Sequence, residues 1–162
     1  MSDPANEERT ERSAAVKRYF RDQFGEALIE DQDLTALLNQ YCREAFEAFP
    51  ELFRERIAVN EETAVQISDI LIYDGSERGT TGESVSRAHK SEPGEWYSVL
   101  CISSWAILKG REETILTLFH ELIHAVYKTD NPLLFHGLLD GLLLKYAERT
   151  GETIPNDYIV PV

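Results

Sequence analysis

The sequence predicts an α+β fold: N-terminal helices, a small antiparallel sheet of about three strands, and two C-terminal helices. Three observations predict it. Apolar residues recur at intervals of three and four over residues 34–49 and again from 115 to 146. Between these stretches lie shorter runs rich in Val, Ile and aromatic residues, as strands require. Glycine and proline mark the changes of pattern. At 162 residues the chain has the length of one domain and can bury a core without staples.

Residues 7–24 read as a helix with Ala15, Val16, Tyr19, Phe20 and Phe24 on one side, ended by Gly25. A second helix runs from Asp33, a candidate N-cap, to Ala48. It presents Leu34, Leu37, Leu38, Tyr41, Cys42, Ala45, Phe46 and Phe49 to a core, and Pro50 stops it. Ala64–Tyr73 is a strand by its Val and Ile content, followed by a loop carrying Gly75, Gly79 and Gly82. No Gly-Lys-Ser/Thr and no helix follow those glycines, so they read as a flexible loop and not a phosphate cradle. Ser84–His89 is a short polar strand, Ser91-Glu92-Pro93-Gly94 a turn, and Glu95–Ile102 a strand with Trp96, Tyr97, Val99, Leu100 and Ile102. From Arg111 the helical period returns, with Glu112 and Glu113 in the first turn, where carboxylates suit the helix dipole. Asn131-Pro132 opens the last helix, which carries Leu133, Leu134, Leu138, Leu139, Leu142, Leu143 and Tyr146 and ends at Gly151.

Composition narrows the function classes. Hydrophobic residues at 43% and charged residues at 28% describe a globule, neither disordered nor membrane-embedded. Cys42 and Cys101, the two cysteines, stand far apart in apolar contexts, which points to free thiols in a reducing compartment. The polar start, Met1 to Arg12, carries no apolar signal region, and no apolar run approaches 18 residues. The expectation is a cytoplasmic protein that does not engage a membrane. A net charge of −13 argues against a nucleic-acid role, because phosphates attract basic faces. The acidic residues are spread through both halves and lysines number five against eleven arginines, a surface style that suits either solubility or high salt.

The most informative residues are His120-Glu121-Leu122-Ile123-His124. They spell H-E-x-x-H inside an amphipathic helix, the pattern of a helix-borne zinc site with its own general base. Positions four apart leave the same face one turn apart, so both imidazoles can bind one ion. Glu121, beside the first ligand, can reach a water at that ion without ligating it. Chance occurrence in such a composition is on the order of one in a few hundred. Catalytic zinc takes three protein ligands and leaves the fourth position to water. Candidates for the third are His136, Asp140 and Glu148. His136 is the first choice: eleven residues after His124 suffice for the helix to end, turn at Asp130-Asn131-Pro132 and return, with His136 in the first turn of the next helix. Asp140, one turn further, could instead orient His136. Three of the chain's four histidines fall between 120 and 136, and His89 reads as a surface residue.

This arrangement resembles the SprT-like metalloproteases, the group that includes Spartan. The matching pattern is the β segment Tyr97-Ser98-Val99-Leu100-Cys101-Ile102-Ser103, then Thr114–Tyr127 with His120, Glu121 and His124, then the pair His136-Gly137. It spans roughly residues 30–150, with the specific motifs in 95–140. The resemblance implies His120, His124 and His136 as Zn2+ ligands and Glu121 as catalytic acid/base. It implies a single zincin-like domain over 25–162, preceded by a helical extension over 1–24. Three features depart from the family: Asp140 replaces an aromatic often found four positions after the third His, no C-terminal four-cysteine ribbon is present, and the surface is acidic. DNA-linked action therefore rests on the family analogy alone.

The chemistry expected is zinc-dependent hydrolysis of peptide bonds, with a peptide or protein substrate lying along the sheet edge by pairing with Trp96–Ile102. Tyr97, Tyr127 and Tyr146 are the candidates for an oxyanion-stabilising donor. Two other readings compete: a zinc-stapled binding domain without turnover, and hydrolysis of a non-peptide amide by the same metal chemistry.

Overall fold

The structure is a computed structural model and describes residues 4–25, 28–76, 79–88, 93–128 and 131–156. Its elements in chain order are α1 (Pro4–Phe24), α2 (Gln32–Ala48), α3 (Pro50–Phe53), β1 (Arg56–Ala58), β2 (Ala64–Tyr73), β3 (Gly82–Ala88), β4 (Glu95–Ser103), α4 (Ser104–Lys109), α5 (Arg111–Tyr127) and α6 (Pro132–Thr150). This is α+β, with the two long strands and the four long helices close to their expected bounds. His89 and the turn residues Ser91 and Glu92 lie outside the described residues, as does Asp130.

The local chemistry explains the ends. The Asp31 carboxylate accepts hydrogen bonds from the amides of Asp33 and Leu34 at 2.9 and 3.1 Å, so the cap of α2 is Asp31, two residues before the expected Asp33. Asn131 caps α6 in the same way ahead of Pro132, and Gly151 closes it in the left-handed conformation. Pro50 does stop α2, yet it also starts the one-turn α3 as its first residue.

The sheet corrects two expectations. It has four strands in the order β1-β2-β4-β3, and it is mixed. β1 and β3 run antiparallel to their neighbours, whereas β2 and β4 pair in parallel from Ala64/Glu95 to Tyr73/Ser103. The reason is the connection. After β2 the chain passes beyond the position of β4, forms β3, and returns through a hairpin that lays β4 between its two predecessors. Consequently Trp96–Ile102 is not a sheet edge. β4 is bonded on both sides, and its residues from Ser98 onward are all buried, as a central strand covered on both faces should be. Among the described residues, the sheet edge nearest α5 belongs to β3.

Two cores flank the sheet. One face packs on α2, α4, α5 and α6 through Leu38, Cys42, Phe49, Leu100, Ile102, Phe119 and Phe135, among others. The other is covered by α1, whose Val16 and Phe20 meet Tyr73, Val85, Val99 and Cys101. The Phe20 and Tyr73 rings lie 4.8 Å apart. Cys42 and Cys101 therefore belong to different layers as free thiols, and burial pushes the Cys42 pKa up to about 12. Among the described residues no helix is long and apolar enough to cross a membrane.

Candidate metal centre

α5 is buried along nearly its whole length, with the polar side chains of Thr114, Thr117 and Glu121 enclosed among its apolar ones. Its start is held by Arg111, which pairs with Glu152 and, at 3.1 Å, with Glu44. Its end is held by Lys128, which takes a left-handed conformation (φ 49°) and lays its ammonium 4.1 Å above the Trp96 ring. Between these ties, α5 presents His120, Glu121 and His124 at one place. Ligand atoms of all three lie within 4.8 Å of one another.

The Nε2 atoms of His120 and His124 are 3.1 Å apart. Two nitrogens held ~2.0–2.1 Å from one tetrahedral ion stand about 3.3 Å apart, so the pair fits a shared zinc. The His120 pKa is pushed down to about 4, first by burial and then by the positive charge that His124 and His136 can carry. His120 is therefore neutral at physiological pH, the form in which imidazole donates to a metal. Phe135, fully buried on α6, sets its ring 4.6 Å from both imidazoles and walls the site on that side.

Glu121 is buried, with a carboxylate oxygen 4.0 Å from His120 Nε2. Its pKa is pushed up to about 8, mainly by desolvation and secondarily by the charge of Glu83. A cation bound at the histidines would oppose that shift. The β3 strand reaches the carboxylate through Gly82: a Cβ there would lie 2.7 Å from Glu121 Cγ and 2.8 Å from Thr117 Cγ2. The loop before β3 is tied down where it is described. Trp105 Nε1 donates to the Thr80 carbonyl at 2.9 Å, the Ser103 amide to the Thr81 carbonyl at 2.8 Å, and Tyr73 and Thr80 share a hydroxyl bond of 2.8 Å.

His136 stands outside the tight group of three. It is half-buried on the second turn of α6, one turn later than expected, with its ring edge-on to Phe135 at 5.9 Å. Its charge is nonetheless close enough to act on His120. Asp140 is exposed and accepts a hydrogen bond from Asn156 Nδ2 at 2.9 Å; Glu148 is exposed.

Of the three tyrosines, Tyr146 is fully buried against Phe49 and Phe119, and its hydroxyl is 3.4 Å from Arg111 at the start of α5. That is about 14 Å of helix from His120, too far for an oxyanion donor. Tyr97 shares a strand face with Val99 and Cys101, on the α1 side of the sheet. Tyr127, exposed at the end of α5, is the one on the metal side. Sequence reasoning missed Gly82, which reads as one more glycine of a loop, and did not single out Phe135 on the last helix.

Compared with known proteins, the chain matches no family model, no curated protein and no solved structure.

Proposed function

We propose that this protein is a zinc-dependent metallopeptidase of the H-E-x-x-H type, with a SprT-like arrangement of its motifs. The observation that carries the reading is the buried Glu121 carboxylate beside two imidazoles whose Nε2 atoms are 3.1 Å apart. A paired-histidine site that served stability alone would gain nothing from burying a carboxylate there, because that burial is costly.

His120 and His124 would hold Zn2+, with His136 as the third ligand once its side chain swings toward the pair. When bound, the ion lowers the pKa of a water to about 7 and polarises the scissile carbonyl. Glu121 accepts a proton from the attacking water and returns it to the leaving amine. The low-dielectric setting that raises its pKa makes it ready to hold that proton between the two steps. Phe135 excludes water from the far side of the imidazoles. The substrate is an extended peptide paired with the outer edge of β3, which Gly82 brings against Glu121.

The test is zinc per chain by elemental mass spectrometry, together with cleavage of an unfolded protein substrate. One zinc per chain and a Glu121→Gln variant that keeps the metal but loses turnover are expected. A metal-free parent after zinc supplementation, or full activity in Glu121→Gln, would overturn the proposal. One zinc without turnover on peptides would favour a stapled binding domain or a non-peptide amide substrate.

A further inference from the structure

A threonine inside a helix usually turns its hydroxyl back onto the carbonyl four residues earlier. Thr114 does so, donating to the Gly110 carbonyl at 2.8 Å, and Thr150 does so to the Tyr146 carbonyl at 2.7 Å. Thr117, one turn before the metal site on α5, does not. Its side chain is fully buried, yet its Oγ1 has no hydrogen-bond partner among the described residues. A buried hydroxyl in that condition costs about 1–3 kcal/mol, which a valine of the same shape would avoid.

The contact with β3 shows what stands beside it. A Cβ at Gly82 would lie 2.8 Å from Thr117 Cγ2, 2.7 Å from Glu121 Cγ and 3.1 Å from the Glu121 carboxyl carbon. The Thr117 methyl and the Glu121 carboxyl therefore crowd one point against the strand. Positions four apart share a helix face, and helical side chains lean toward the N-terminus, so Glu121 lies back over the turn that carries Thr117. A one-third turn about the Thr117 Cα–Cβ bond carries the hydroxyl to where the methyl now stands, facing that carboxyl. Glu121 Oε1 is the oxygen 4.0 Å from His120 Nε2, which leaves Oε2 to receive the hydroxyl.

We propose that Thr117 is the positioning residue of Glu121: its hydroxyl donates to one carboxylate oxygen and leaves the other facing the histidine pair. The carboxylate is then fixed from two sides, by the Thr117 hydroxyl along α5 and by the backbone of Gly82 across from it. The hydrogen bond stands independently of the peptidase reading; its effect on turnover rests on that reading.

The experiment compares Thr117→Val, which keeps the shape, with Thr117→Ser, which keeps the hydroxyl, both in the full-length chain. Carbon-13 NMR follows the Glu121 carboxyl through a pH titration with a chelator present, its signal assigned by its absence in Glu121→Gln. Glu83, His120 and His124, the other ionisable groups around that carboxyl, are the same in both variants. A hydrogen bond to the charged form favours it, so Thr117→Val should raise the titration midpoint by about one pH unit or more, and Thr117→Ser should keep the parental midpoint. With zinc, Thr117→Val should lower kcat about tenfold at parental KM and zinc content, and Thr117→Ser should recover most of it. A parental midpoint or parental kcat in Thr117→Val, or a Thr117→Ser variant that behaves like it, would overturn the proposal. A raised midpoint in a protein that cleaves no peptide would uphold the hydrogen bond and overturn the peptidase reading alone, so the two failures are distinct.

Discussion

Gly82 and Glu121 meet across the interface between β3 and α5 so closely that a single added carbon at position 82 would sit 2.7 Å from Glu121 Cγ. Neither residue can change size without moving the other. The strand that flanks the proposed substrate path thus also positions the proposed base. Gly82→Ala should displace the Glu121 side chain, at a cost of about 1–3 kcal/mol in stability. It should lower kcat while leaving zinc content at the parental level. Denaturation midpoints, elemental analysis and turnover measured on one preparation check this; unchanged kcat would show that the contact relaxes without consequence.

The raised pKa of Glu121 predicts a pH signature in the metal-free protein. A carboxyl of pKa 4.5 when unfolded and about 8 when folded stabilises the fold fully below 4.5, and that contribution is lost as pH rises toward 8. Glu121→Gln removes this loss. The variant should match the parent near pH 4 and exceed it by a few kcal/mol above pH 8. His120 acts in the opposite sense: its folded pKa of about 4 stabilises above 6.5 and is lost as pH falls through 4. His120→Ala should therefore flatten the acid limb alone. Urea titrations at several pH values, with a chelator present, would show whether the two limbs separate in this way.

The third ligand is settled by a pair of variants. His136→Ala should cut zinc affinity by at least about tenfold, or 1.4 kcal/mol. Asp140→Asn, whose oxygen can still accept from Asn156, should bind zinc like the parent. Competition with a chromogenic chelator measures both, and the reverse pattern would transfer the ligand role to Asp140.

Phe20→Ala tests the other face of the sheet. Phe20 is fully buried against Tyr73, and large-to-small changes of this kind cost about 3–5 kcal/mol. The loss should appear in global stability, with zinc affinity unchanged below the unfolding transition. A parallel loss of zinc affinity would mean that α1 supports the metal centre through the sheet.

Much of this architecture was legible before any coordinates, for physical reasons. α2, α5 and α6 bury one apolar side or nearly all of it, and polar caps or Pro and Gly bound them, so period and punctuation agree. β2 is legible because its Val and Ile content stands between polar turns. β1, α3 and α4 were not legible: three to six residues are too few to show a period. Nor was the parallel pairing of β2 with β4, since side-chain alternation does not encode strand direction. At the site, the spacing of His120, Glu121 and His124 follows from the helix itself. The distance from His136 to that group does not, because it depends on how α6 returns after a turn. The closeness of Gly82 to Glu121 depends on strand order and left no trace in local sequence.

Arg111 and Lys128 stand at opposite ends of α5, one locked to Glu44 and Glu152, the other resting on Trp96. A rod of 17 residues, about 25 Å long, is thereby tied to neighbouring elements at both ends. His120, Glu121 and His124 ride on that rod as fixed tooling. The metal-site residues thus take their place from the two ends of one helix and from the Gly82 contact that presses on it from β3.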